Sequence, residues 1–180
     1  MASGVTGGEK LAVLLKKMAA DISKANTVEI GFFETAVYPD GMNVATVAAI
    51  QEFGAPAVGI PPRPFFRNMI ANESPHWAAD VAAQLKFNDY DTEKTMAQMG
   101  EEIAGELRQS IVDTNDPALS PITLMIRKMK AESPDLVVTR ATVGEAARRI
   151  AAGLSYSGVS TKPLVDTGRM LDSIGSRVKG

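Results

Sequence analysis

An α+β fold, a small antiparallel sheet packed against several helices with extended Gly/Pro loops, is predicted by three features of the chain. Several stretches carry apolar residues at three- and four-residue spacing, the period of a helix with one buried face. Residues 27–33 alternate instead, with Val28, Ile30 and Phe32 on one face and Glu29, Gly31 and Phe33 on the other. The stretch 56–64 is so rich in proline that helical geometry is disfavoured and backbone donors are missing.

Residues 1–8 are small and Gly-rich and predict a flexible tail. Leu11, Leu14, Leu15, Met18, Ala19 and Ile22 then place an amphipathic helix over 9–24, stopped by Asn26. The strand over 27–33 follows, and Phe33 on its polar face implies cover on both sides. Tyr38-Pro39-Asp40-Gly41 is a turn, because proline presets φ and glycine accepts positive φ. Asn43 is placed to cap a helix over 44–52, which Gly54 ends in a left-handed conformation.

A second helical tract covers 65–87, with an interruption expected at Pro75. After the break at 88–91, Asp91 or Thr92 caps a helix over 92–112 whose inward stripe is Met96, Met99, Ile103, Leu107 and Ile111. Gly100 and Gly105 cost that helix about 1 kcal/mol each relative to alanine and point to close helix packing. Beyond a loop at 113–117, Ser120-Pro121 opens a helix to 130, which Ser133-Pro134 ends. Residues 136–139 predict a strand and 142–152 a helix capped by Gly153, before a Ser/Gly-rich loop over 153–163. Asp166-Thr167-Gly168 turns the chain into 169–178, a short helix, a strand, or one leading into the other. With no repeat and no linker, residues 9–180 read as one domain.

Composition narrows the function. The 45% apolar content supports a real core. Nineteen basic and 21 acidic residues give a formal charge of −2, without the basic excess of a protein that grips DNA phosphates. The absence of cysteine excludes disulfides and thiolate metal sites. The N-terminal residues lack a secretory signal pattern, and the apolar stretch 11–20 is short and broken by Lys16 and Lys17. A soluble protein without membrane contact is expected.

Candidate chemistry is sparse. His76 is the lone histidine and, between Pro75 and Trp77, reads as a surface or capping residue. Glu102 and Glu106 share a helix face with Glu101 nearby, as paired carboxylates for acid–base work would, although a solvated acidic face is the commoner arrangement. The Gly54–Gly59 loop lacks the Gly-Lys-Ser/Thr ending of a nucleotide loop. Arg127, Lys128 and Lys130, like Arg148 and Arg149, read as solvated basic faces, with phosphate contact the lesser reading. No catalytic, metal or cofactor-binding residue is therefore assigned.

Two segments resist that treatment. Pro61, Pro62, Arg63, Pro64, Phe65, Phe66 and Arg67 form either a rigid connector that tucks phenylalanines into the core or a preorganised subunit interface. Both hold if one phenylalanine points in and the other out. Asp166, Thr167, Gly168 and Arg169 form a turn in which Asp166 accepts backbone N–H groups and Arg169 is left to pair with a carboxylate; a purely structural cap is the leading reading of it and an interface the lesser one.

Tyr38-Pro39-Asp40-Gly41, Val47-Ala48-Ala49-Ile50-Gln51-Glu52-Phe53-Gly54 and Ile60-Pro61-Pro62-Arg63-Pro64-Phe65-Phe66-Arg67 together resemble a signature of tailed-bacteriophage neck and tail-completion proteins. Leu119-Ser120-Pro121-Ile122-Thr123 and the segment Pro163-Leu164-Val165-Asp166-Thr167-Gly168-Arg169-Met170-Leu171-Asp172-Ser173-Ile174 extend the likeness. These families include proteins similar to the minor tail protein Z of phage lambda and the virion morphogenesis protein of phage Mu. Against their pattern, 136–160 reads as an insertion.

The resemblance implies a virion structural protein without enzymatic activity or cofactor. Its partners would be copies of itself in a ring, connector, tail terminator and tail tube proteins, and genomic DNA in passage. The implied assembly surface comprises Glu52, Phe53, Gly54, the 61–67 segment, Asp166 to Arg169, and Leu171. A tail terminator capping the tube is the nearest alternative. A small phage hydrolase using Glu102 and Glu106, or a regulatory DNA binder, would belong to different classes.

Overall fold

The structure, a computed structural model, describes residues 8–22, 27–33, 35–39 and 41–179. The tail expected over 1–8 lies outside these residues except for Gly8, as do the stop at Asn26 and the turn residue Asp40. The fold is α+β: seven α-helices and a two-stranded antiparallel sheet among the described residues. In chain order these are α1 (Gly8–Ile22), β1 (Thr27–Phe32), α2 (Val44–Phe53), α3 (Phe65–Phe87), α4 (Thr92–Asp113), α5 (Pro121–Glu132), α6 (Arg140–Ala151), α7 (Arg169–Asp172) and β2 (Ile174–Lys179). Among the described residues, no helix is long and apolar enough to cross a membrane.

The chain forms two compact units, each assembled from segments distant in sequence. The first holds residues 1–31, 69–107 and 174–180. Here β1 pairs with β2, and Glu29 clasps the pairing by accepting Arg177 Nε at 2.7 Å and contacting Lys179. The sheet lies against α4 at Gly100. A Cβ there would stand 2.9 Å from Ser176 Cβ and 3.0 Å from Val28 Cγ1, so the small residue admits the strands. The close approach expected of Gly100 is thus to the sheet and not to a helix, while a Cβ at Gly105 would meet nothing within 4 Å. Met69, Met99, Ala104, Leu107 and Ile174 are buried, whereas Met96 and Ile103 of the expected stripe are only partly covered.

The second unit holds residues 32–68 and 108–173. Asn43 caps α2 as expected, its Oδ1 accepting the Ala45 N–H at 2.8 Å. Ser120 likewise caps α5, with Pro121 in the first turn where its missing N–H has no partner to lose. Residues α5 and α6 contribute to one cluster, Met125, Met129 and Ala146, flanked by Leu136, Ile150 and Tyr156. Helix α7 packs on α2.

Four local expectations are corrected. Pro75 does not interrupt α3; the carbonyl that its ring leaves without a helical donor, that of Ala71, belongs to an exposed residue, where solvent access lowers the cost. Pro56–Val58 forms a 3-10 turn within the stretch expected to be non-helical; a proline at the start of a turn gives up only an N–H that would be orphaned anyway. Gly54 takes the expected positive φ of 75°, but its ψ of 172° sends the chain into extended geometry. Residues 136–139 form no strand: Leu136 joins the α5–α6 cluster, and Thr139 becomes the cap of α6, in a reciprocal capping box with Thr142.

Candidate functional site

Every residue of the expected assembly surface belongs to the second unit. The key to its construction is the start of α3. The first N–H groups of a helix have no partner in the helix and form a positive end. Glu52, at the close of α2 and only 5% exposed, supplies the missing acceptors. Its Oε2 accepts the Phe66 N–H at 2.8 Å and its Oε1 accepts the Arg67 N–H at 3.3 Å. Arg67 completes the clasp, donating from Nε to Glu52 Oε1 at 2.7 Å and from Nη2 to the Glu52 carbonyl at 3.1 Å. One carboxylate thus caps a helix that begins 13 residues later.

The intervening loop is closed by backbone contacts. Gly54 N–H returns to the Ile50 carbonyl at 2.8 Å, and Ala55 pairs with Ile60 in an isolated antiparallel bridge. Arg63 N–H reaches the Gln51 carbonyl at 2.7 Å. A side chain at Gly54 would put its Cβ 2.8 Å from Pro62 N and 2.9 Å from the Ile60 carbonyl oxygen, and neither backbone atom yields readily. Glycine is required there for both space and φ.

This closure decides what reaches the surface. Phe65 is 1% exposed and meets Phe32 edge-on at 6.2 Å, while Phe66 is half-buried beside it. Phe53 is 66% exposed, with the Arg67 guanidinium 5.3 Å from its ring centroid, a cation–π contact. Pro61 and Pro62 are exposed and Pro64 is partly covered. Glu52, Arg63 and Phe65 are therefore used inside the chain, and Phe53, Pro61, Pro62 and Arg67 face outward.

The Asp166–Leu171 segment is brought against the same block. Gly168 has a φ of 80° and ends the turn; Met170 is buried and Leu171 half-buried. Among the described residues, Arg169 pairs with no carboxylate. Its Nη1 donates to the Val37 carbonyl at 2.7 Å, tying α7 to the chain just before α2. The Asp166 carboxylate does not serve its own turn either; it lies 3.4 Å from Arg127 Nε.

Arg127 is the residue that sequence reasoning misplaced. It is not part of a solvated basic face. Its side chain is 9% exposed and gathers a loop: Nη1 donates to the carbonyls of Ser160 at 2.7 Å and Lys162 at 2.8 Å, and Nη2 to that of Pro163 at 3.2 Å. Burial lowers its pKa, opposed by the Asp166 charge. Backbone carbonyls carry no residue code, so the sequence holds no signal for this role. Arg148 and Arg149 do sit at the surface, paired with Glu145 and, for Arg149, Glu132.

Arg63 and Arg127 line a common cavity of about 460 Å³ with Gln51, Pro61, Ser120 and Asp166. The two resemblance-bearing blocks thus converge on one place, which their separation of about 100 residues does not foretell.

In the first unit, His76 is exposed. Glu106 accepts the Trp77 indole N–H at 2.9 Å and Glu102 accepts Gln84 Nε2 at 2.6 Å. Burial raises the Glu106 pKa above its ordinary 4.5; the Trp77 bond opposes this, and Glu73, Glu102 and Asp80 add to it. Above pH 4.5 the folded chain therefore holds a proton that the unfolded chain has released, and stability declines as pH rises through the folded value. Glu106→Gln cannot titrate but keeps an acceptor for Trp77. It is expected to melt above the parent at neutral pH and to lose that advantage as pH falls towards 4, as a pH series of thermal melts would show.

The chain matches no known family profile, no curated protein and no solved structure.

Proposed function

We propose that this protein is a structural subunit of the head–tail connection of a tailed bacteriophage, a tail-completion or connector ring subunit needed to join tail to head. The observation that carries the reading is the construction of residues 51–67. Glu52 and Gln51 bolt the loop to α2 and α3, so that Phe53, Pro61 and Pro62 are held outward with little freedom left to lose on binding. That is how an assembly surface is preorganised. The phage assignment itself rests on the motif resemblance of the same residues.

Helix α1 adds to the argument. Leu11, Leu14 and Leu15 occupy one side of it and are 56%, 52% and 54% exposed, an apolar stripe of the kind that marks protein contact. Ring subunits use heterologous contacts, one patch against a different patch of the neighbour, so more than one such surface per copy is expected. A formal charge of −2 suits a channel wall past which DNA slides, because each phosphate contact would add affinity.

Phage particles made without this protein test the reading. Heads and tails that accumulate unjoined are the expected result, with the protein located at the neck in a reconstruction of complete particles. Normal tail attachment in its absence would overturn it.

A further inference from the structure

We propose that the cavity between Arg63 and Arg127 is a docking pocket for a carboxylate carried on a partly apolar segment of a partner protein. The inference rests on the assembly reading above and names what one of the contacts recognises.

The cavity is positively charged. Arg63, Arg127 and Lys130 line it, against the single carboxylate of Asp166. Asp166 is committed to Arg127 and its side chain is half exposed, so solvent weakens its compensation. Arg63 is 5% exposed and has no carboxylate within ion-pair distance among the described residues. Its Nε donates to the Pro117 carbonyl and its Nη1 to Gln51 Oε1, both at 3.0 Å, while Nη2 has no hydrogen-bond partner among the described residues. That nitrogen is not sealed from solvent, so an acceptor entering the cavity can reach it. Burial first, and then the Arg127 charge, lowers the Arg63 pKa, with Asp116 acting in the opposite sense. An anion between the two guanidiniums would relieve that repulsion. Ser120 and Thr123 place the N-terminal end of α5 on the same wall, adding its partial positive charge.

The walls also say what carries the anion. Ile60, Leu119, Ile126 and Val138 give the cavity apolar surface next to its charges. That suits a glutamate or chain-terminal carboxylate with an aliphatic neighbour. A nucleic-acid backbone would need a row of protruding cations, whereas Arg63 and Arg127 are recessed and the chain carries a net negative charge. The volume of about 460 Å³ holds one side chain and the backbone about it.

The test is a nuclear magnetic resonance titration of the full chain with acetyl-Leu-Glu-Leu-amide, and with acetyl-Leu-Gln-Leu-amide as the neutral isostere. The glutamate peptide is expected to shift the amide signals of Thr123, Ile126 and Lys130 and to bind about tenfold tighter than the glutamine peptide, the ratio that one charge-assisted bond supplies. Lys130 is exposed and has no ion pair among the described residues, so Lys130→Glu is expected to keep the fold, at a small cost from a negative charge at the end of α5, and to weaken the glutamate peptide by a similar factor. Equal binding of the two peptides, or no effect of Lys130→Glu, would overturn the proposal. So would a short DNA duplex or inorganic phosphate that binds the same residues more tightly than the glutamate peptide. If the peptides fail while the protein is present at the neck of particles, the pocket alone is wrong. If they bind while particles assemble without the protein, the neck reading is wrong and the pocket stands.

Discussion

Glu52→Ala is expected to destabilise the chain by about 3 kcal/mol, from the loss of a helix cap and of charge-assisted hydrogen bonds to a buried carboxylate. The figure stays below the cost of breaking a fully buried ion pair because Arg67 is 56% exposed and regains water when its partner goes. The Phe66 and Arg67 N–H groups regain water less easily, since both face the site that Glu52 vacates. Glu52→Gln keeps an acceptor but loses the charge against the positive end of α3, and should cost about 1 kcal/mol. Urea unfolding gives both values. Hydrogen exchange supplies the local readout: the Phe66 and Arg67 amides should exchange faster in the alanine variant than amides of α6. A Glu52→Ala protein as stable as the parent would show that α3 does not depend on this cap. If the proposed head–tail role holds, particle assembly should also fail in this variant at temperatures where the chain is still folded, because the same contacts aim Phe53, Pro61 and Pro62.

Arg127→Met is the second large effect. The substitution keeps an apolar stem of similar length and removes the donors shared by the carbonyls of Ser160, Lys162 and Pro163. Each hydrogen bond from a charged donor contributes about 1.5–3 kcal/mol when counted alone, but these share one group and water enters in its place, so about 3 kcal/mol in total is expected. Asp166 loses its partner as well, though at half exposure that adds little. Arg127→Lys should recover only part of the loss, because one ammonium cannot span carbonyls that a planar fork reaches from two nitrogens. Protease cleavage within 158–166 should accelerate in the methionine variant before global unfolding begins. A solvated Arg127 would instead make all three proteins equally stable.

The helix caps show why parts of the chain were readable in advance. Asn43 and Ser120 act on N–H groups two or three residues away, so the cap and its target fall in one short window of sequence. The stripe of α4 was equally local, although only Met99, Leu107 and Ile111 of it are fully buried. The strand expected over 136–139 failed for the opposite reason. Leu136, Val137 and Val138 have the side chains of a strand, but a strand exists only by pairing, and among the described residues no strand pairs with them. Leu136 gains more by entering the α5–α6 cluster.

Helix periods, the caps at Asn43 and Ser120, turn glycines and the α+β class were determined by the sequence alone, because each depends on residues close together along the chain. Tertiary structure alone decided that Glu52 closes the start of α3, that Arg127 gathers a distant loop, and that Arg63 and Asp166 face one cavity. The physical reason is the nature of the partners. Backbone N–H and C=O groups are the same at nearly every residue, so which of them a buried charge finds depends on where the folded chain brings them.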